Sequence, residues 1–548
     1  MAWPRMFICM VVALLVTCCN WILTDPATGA GVAETTALQG KDQGRTVFRA
    51  PLLNNPPTLD PAQVKDIYGV TVIQQLYDGL VKFDADLFVT PALAESWQVE
   101  DGGRTYRFSL RKNALFHNGR RVDSKDVLFS LKRLLRVDPP PTILPYLLKI
   151  EGAKDFHEHK AEEVSGLQAV DDRTFLIRLS EPYVPLIIAL GMYQAKVVPK
   201  EIVESDPTSF GMEPIGSGPF KFVSWEQNKT IRLQGFPDYF EGKPRLDEIE
   251  FAIFPGISID EVWTDFQSGK LDQMQVYGKN YERLKGNKDL QWVRRPSLSL
   301  QFYGFNCKHP LLANRDLRLA LSRAIDRERL VAEAYSGQFQ AAGGILSPGL
   351  PGYMPRGSRA GVNITKAEEV VEKALGAEGP GTSIQIEIVS NSQSLLAQAE
   401  LEFVRKSWER LGIDLQIKYI PDWAQFEERL RSDSLQIYRY AWFADIPDAD
   451  DILRPLFSSQ SQFNYMRYEN EEVDRMLQEA LAIVDPVERA AVYQKIEQTI
   501  LEACPLIPLI HISVDYVYQP NVQGIEANAL GVHTMPLNRI WLKGSSER

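Results

Sequence analysis

The chain has 548 residues, 45% of them apolar and 24% charged, with a formal net charge of -11 at pH 7. A length several times the roughly 100–150 residues of a common domain requires more than one hydrophobic core, and the near-average composition excludes a disordered chain and a multispanning membrane protein. Both charge signs are interspersed and no long basic run occurs, which argues against a nucleic-acid partner, because such a partner needs a positive face to displace counterions from phosphates.

At the N-terminus a lone Arg5 precedes an apolar stretch over residues 6–16, with polar neighbours at 18–20. That stretch is too short to span a bilayer and reads as an export signal. An uncleaved anchor extended by Trp21, Ile22 and Leu23 is the alternative, and Asp25 and Pro26 weaken it. The run Leu15-Val16-Thr17-Cys18 resembles the lipobox of bacterial lipoproteins, with Thr17 where Gly, Ala or Ser is usual. Cys18 and Cys19 are therefore the lipidation candidates, which would hold the protein on a membrane surface. Cleavage near the small residues at 27–33 would instead release a soluble periplasmic protein. Of the five cysteines only Cys307 and Cys504 lie in the mature body. Their separation supports neither a disulfide framework nor a thiolate metal site, so both are expected to be buried, small apolar side chains.

Further on, Tyr106, Phe108 and Leu110 alternate with Thr105, Arg107, Ser109 and Arg111, the period of a half-buried strand. Asn118-Gly119 supplies a tight turn. Ser124 is read as the N-cap of a helix whose apolar face carries Val127, Leu128, Leu131, Leu134 and Leu135. Asn314 and Asp326 can cap two successive helices, the second closed by Gly337. Ile384, Ile386 and Ile388 mark a strand, residues 395–411 a helix ending at Gly412, and Leu415, Ile417 and Tyr419 a second strand, which together give a parallel βαβ unit. A further strand over 435–443 completes a region read as α/β with a mostly parallel sheet. Ligands bind beyond the carboxyl ends of such strands, which here is the stretch 442–445.

Eight stretches then carry a resemblance. They are "PPTLDP" at 56–61, "LYDGLVKFD" at 76–84, "PALAESWQVEDGGRTYRFSLRKNALFHNGRRVDSKDVLFS" at 91–130, "GSGPFKFVSW" at 216–225, "FPDYFEGKPRLDEIEF" at 236–251, "LRLALSRAIDRERLV" at 317–331, "YAWFADIPDADDIL" at 440–453 and "CPLIPL" at 504–509. In this order they resemble family 5 of the bacterial extracellular solute-binding proteins, the group of dipeptide, oligopeptide and nickel-binding components of ABC importers. The resemblance implies an α/β, two-lobed periplasmic binding protein fold of class II, cluster C, with an extra α+β subdomain on lobe I. Lobe I would take residues 46–77, 181–300 and 505–542, the subdomain 78–180 and lobe II 301–504. The chain would cross between lobes at 301–306 and near Cys504. It also implies a monomer that captures a peptide or other small solute and delivers it to membrane permease subunits.

Carried over residue by residue, the resemblance places Asp445 against a ligand's α-ammonium, since a buried ammonium needs a carboxylate partner. Ala441 and Phe443 would lend their backbone to an extended peptide added as a strand. Trp442 and Trp423 would line side-chain pockets. Arg439 would face the cleft and meet a ligand carboxylate, and Tyr303, Asn54 and Asn55 are further candidates. Ile446 and Ala449 depart from the aromatic and the proline usual around that aspartate. Alternatives are a non-peptide solute in the same fold, such as an oligosaccharide, metal chelate or opine, and an exported hydrolase in which Ser217 would meet His511.

Enzyme chemistry finds little footing otherwise. His157-Glu158-His159 lacks a third metal ligand, "GSG" at 216–218 is not a nucleophile elbow, and no phosphate loop or dinucleotide fingerprint occurs. The expectation is a protein that is not an enzyme and needs no cofactor.

Overall fold

The computed structural model describes residues 45–256, 259–276, 279–356, 369–371, 373 and 384–543. The export and lipidation expectations, Cys18 and Cys19 included, concern residues outside these. Among the described residues no helix is long and apolar enough to cross a membrane.

Near the N-terminus Val47–Leu52 pairs in parallel with Glu248–Ile253, and Thr230–Gly235 and Phe220–Glu226 extend that sheet antiparallel. The helix Ile67–Leu76 packs on this sheet through Val70, Ile73 and Leu76, all buried in one core. Asp66 caps the helix by accepting from the Tyr68 and Gly69 amides. A second core lies around an antiparallel sheet ordered Ala94–Glu100, Thr105–Leu110, Thr174–Arg178, Leu167–Ala169. The alternation read over 105–110 is this strand, with Tyr106, Phe108 and Leu110 buried. The cap of Ser124–Arg136 is Asp123 and not Ser124. Its carboxylate accepts from the Lys125 and Asp126 amides while Asp126 reaches back to the Asp123 amide, a reciprocal capping box that a serine one residue later cannot build.

The βαβ unit is present. Ile384–Ser390 and Ile413–Tyr419 pair in parallel over seven residues, joined by the helix Leu395–Glu409 under a Ser394 cap. The sheet holding it is mixed, however, not mostly parallel. Its order is Gln340–Ala341, Leu506–His511, Ser299–Phe305, Ile437–Phe443, Ile384–Ser390, Ile413–Tyr419, and its first four strands pair antiparallel. The strand at 299–305 enters from the neighbouring three-stranded sheet of Gln273–Val276, Ser513–Tyr518 and Gln291–Pro296, and the strand at 506–511 leaves into it, so their opposite directions are set by that double crossing.

The crossings thus lie at 297–298 and at Ile512. Residues 301–306 and Cys504, taken from the sequence as the crossing points, sit elsewhere: Ser299–Phe305 is already a strand of the six-stranded sheet, and Cys504 caps the helix Pro486–Ala503 in a left-handed conformation. The two connections are tied together, with the Ser297 amide donating to the Ile512 carbonyl at 2.7 Å and the Ile512 amide to the Ser299 hydroxyl at 3.0 Å. His511, also buried, contacts the Ser299 carbonyl through Nδ1 at 2.7 Å.

Candidate ligand-binding cleft

A cavity of about 710 Å³ opens at these crossings, and Ser297, Leu298, Ile512 and Ser513 line it. One wall comes from 67–83, 191–196 and 528–538, the other from 335–339, 394–396 and 443–445. It has the size and mixed lining of a small-molecule site between two bodies.

The strand Ile437–Phe443 brings its last residues to this cavity. All seven of its residues pair with Ser299–Phe305, but only Ile437 and Tyr438 pair with Ile384–Ser390 on the other edge. The Ala444 amide donates to Leu298 and the Gln436 carbonyl accepts from Asn306, so even-numbered residues turn their backbone polar groups toward Ser299–Phe305. Ala441 and Phe443 therefore point theirs to the opposite edge, where no strand covers them among the described residues. Buried backbone groups seek partners, and an extended chain can supply them.

Beyond that edge, Phe443, Ala444 and Asp445 line the cavity. The Asp445 turn is fastened by Asp451, whose Oδ2 accepts from the Asp445 amide at 2.6 Å while Oδ1 accepts from the Tyr146 hydroxyl at 2.7 Å. Asp448 in the same turn forms a buried ion pair with Arg489, 2.5 Å from Nη1. Ile446 joins the core around the 94–178 sheet and Ala449 that of the six-stranded sheet, so these departures from the family pattern are packing contacts. Across the cavity stands Tyr193; burial first, and then the Asp445 charge, push its phenol up.

The other sequence candidates lie elsewhere. Arg439 does not face the cleft: it is 9% exposed and locked to Glu400, with Nη2 2.9 Å from Oε2 and Nε 3.1 Å from both oxygens. The Tyr303 hydroxyl donates to Glu400 at 2.6 Å, Gln301 at 2.5 Å, and Tyr335 completes the set, so Tyr303 is part of a buried network. Burial pushes both phenols up, and the Glu400 charge adds to it. Trp442 is buried on the opposite face of the strand, its Nε1 donating to the Asp451 carbonyl at 2.8 Å. It supports the turn from behind and does not line the cavity. Trp423 packs on Phe426 and Tyr440 at 5.8 and 6.0 Å between ring centres, also outside the cavity. Asn55 fixes the 226–229 turn by accepting from the Trp225 indole and the Asn228 amide, and Asn54 accepts from the Asn55 amide; neither lines the cavity.

The two residues of the hydrolase alternative have separate partners. Ser217 is buried against the Asp78 amide, and His511 contacts Ser299. "GSG" at 216–218 has a packing cause: a Cβ on Gly216 would lie 1.9 Å from the Leu76 carbonyl, and the Gly218 amide donates to that same carbonyl at 2.8 Å.

A profile of the bacterial extracellular solute-binding proteins, family 5, matches residues 89–464. The chain belongs to this family. Heme-binding protein A of Haemophilus influenzae is 26% identical over 84% of the chain and 85% of that protein, and the dipeptide-binding protein of Escherichia coli is 25% identical over 84% and 88%. Among solved structures, the unliganded open form of MppA, a periplasmic murein tripeptide-binding protein, superimposes with a TM-score of 0.83 at 22% identity, covering 91% of this chain and 97% of that one. The protein thus has the two-lobed fold of the periplasmic binding proteins, and its family consists of solute-binding proteins.

Sequence reasoning missed Glu400, Asp448, Asp451, Arg489 and Tyr193. Glu400 had a signal, because it shares the buried helix face of Ala397, Leu401, Val404 and Trp408; a carboxylate on an apolar stripe requires a buried cation.

Proposed function

We propose that this family member is the substrate-binding component of an ABC importer and captures a peptide between its lobes for delivery to the permease. Lobe I would take 46–77, 181–298 and 512–542, its extra subdomain 78–180 and lobe II 299–511, with closure turning on residues 297–298 and 512. The observation that carries this reading is the uncovered edge at Ala441 and Phe443 running into Asp445 at the cavity. A peptide added there gains backbone hydrogen bonds whatever its side chains are, and its α-ammonium arrives at the carboxylate. No bond is broken. Ligand favours closure only through contacts that the closed state adds, so both walls must contribute. Export by the segment 1–33, with a lipid on Cys18 or Cys19 or with release into the periplasm, belongs to the same proposal.

Calorimetry on Asp445→Ala tests it. Trialanine should lose about 2–4 kcal/mol of binding, roughly 30- to 1,000-fold in Kd, because its ammonium would be buried unpaired. N-acetyl-trialanine, which carries no ammonium, should bind wild type and variant alike. Equal losses for both peptides would refute the role of Asp445.

A further inference from the structure

With Arg439 held by Glu400, lobe II has lost the cation expected for a ligand carboxylate, and the cavity wall contains no arginine among its described residues. Its lysines are Lys82 and Lys196. Lys82 is occupied, with Nζ 2.5 Å from Glu241 Oε1. Lys196 is different. It is 6% exposed, lines the cavity, and its ammonium makes no hydrogen bond or ion pair among the described residues. Its ammonium is desolvated without a direct partner, a cost that an anion delivered from the cavity would relieve.

The surroundings of Lys196 are built to hold a charge. Gly79 and Lys196 form an isolated antiparallel bridge and the Val197 amide donates to the Asp78 carbonyl at 2.9 Å, which fixes the lysine beside Asp78. Asp78 is 5% exposed, lines the same cavity, and its Oδ2 has no hydrogen-bond partner. Burial lowers the Lys196 ammonium to about 8, with Asp78 as the main opposing influence, so it remains largely protonated at neutral pH. The Lys196 ammonium matches an anion delivered from the cavity, such as the carboxylate of a peptide's last residue.

We infer that Lys196, positioned by Asp78 on the lobe I wall, binds the carboxylate of the ligand, opposite the Asp445 turn of lobe II. This rests on the peptide reading given above and adds the group that selects a free C-terminus. Two charge contacts on opposite walls would also couple capture to closure, since only a closed cleft satisfies both.

The test is direct binding of trialanine and trialanine amide to wild type, Lys196→Met and Lys196→Arg, with folding followed by circular dichroism. Wild type should prefer the free acid by about tenfold or more. Lys196→Met, which keeps the packing volume, should bind acid and amide within about twofold of each other, and Lys196→Arg should keep most of the preference. Equal binding of acid and amide by wild type, a measurement that needs no variant, would overturn the inference while leaving the peptide reading intact. So would a Lys196→Met protein that retains the preference. Failure of wild type to bind either peptide would overturn the peptide reading and this inference with it.

Discussion

The two ends of the strand Ile437–Phe443 face different tasks. At Arg439 the side chain enters a buried network in which Glu400 accepts from Arg439, Tyr303, Gln301 and Tyr335. Four residues later the strand has shed its second neighbour, and Phe443 and Asp445 face a cavity. A residue with a full set of protein partners has no bonding capacity left for a ligand, whereas the uncovered backbone of Ala441 and Phe443 does. The difference teaches that a charged residue on a binding strand is read by what already neutralises it, not by its place in a motif.

The largest expected effect is at the closed end. Glu400→Ala would strand the buried Arg439 guanidinium and should cost on the order of 3–5 kcal/mol of stability, enough to abolish folding of a marginal protein. Arg439→Met should recover part of that loss when combined with Glu400→Ala, because the double variant leaves no unpaired charge; urea melts of the three variants check this. A selective loss of peptide binding by Arg439→Met with stability unchanged would reverse the roles of the two ends. The effects at Asp445 and Lys196 come next in size and fall on affinity, not on folding.

A smaller effect is set by pH. Burial lowers His117, His511 and His533 from 6.5 to about 4. The unfolded chain therefore takes up protons as pH falls through about 6.5 while the native protein does not, and stability drops from there until it levels near pH 4. Each histidine should contribute about 1–3 kcal/mol to that drop. Thermal melts between pH 7 and 4.5 should show a shallower slope for His511→Gln than for wild type.

Much of this was legible in the sequence where the signal was local. Isoleucines at 384, 386 and 388 set the strand face, Asn314 and Asp326 do cap their helices, and the βαβ order fixed a parallel pair. That Asp445 follows the strand was carried by the family motif, and a strand turns alternate backbone groups, here those of Ala441 and Phe443, to one edge. The rest depended on distant partners. Nothing near Arg439 announces Glu400 on another helix, and nothing near Trp442 or Trp423 says which face of the sheet each tryptophan joins. Direction in the mixed sheet was hidden because its strand 299–305 arrives from another sheet and its strand 506–511 departs into that sheet. Lys196 did have a local mark: a lysine within Ala195-Lys196-Val197-Val198 interrupts an otherwise apolar run.

The uncovered edge is the centre of the account, and amide hydrogen exchange resolved to single residues addresses it directly. With trialanine bound, the Ala441 and Phe443 amides should slow by about tenfold or more relative to free protein, while Tyr440 and Trp442, already paired with Ser299–Phe305, should change little. Unchanged exchange at Ala441 and Phe443 in a protein saturated with peptide would contradict strand addition at this edge.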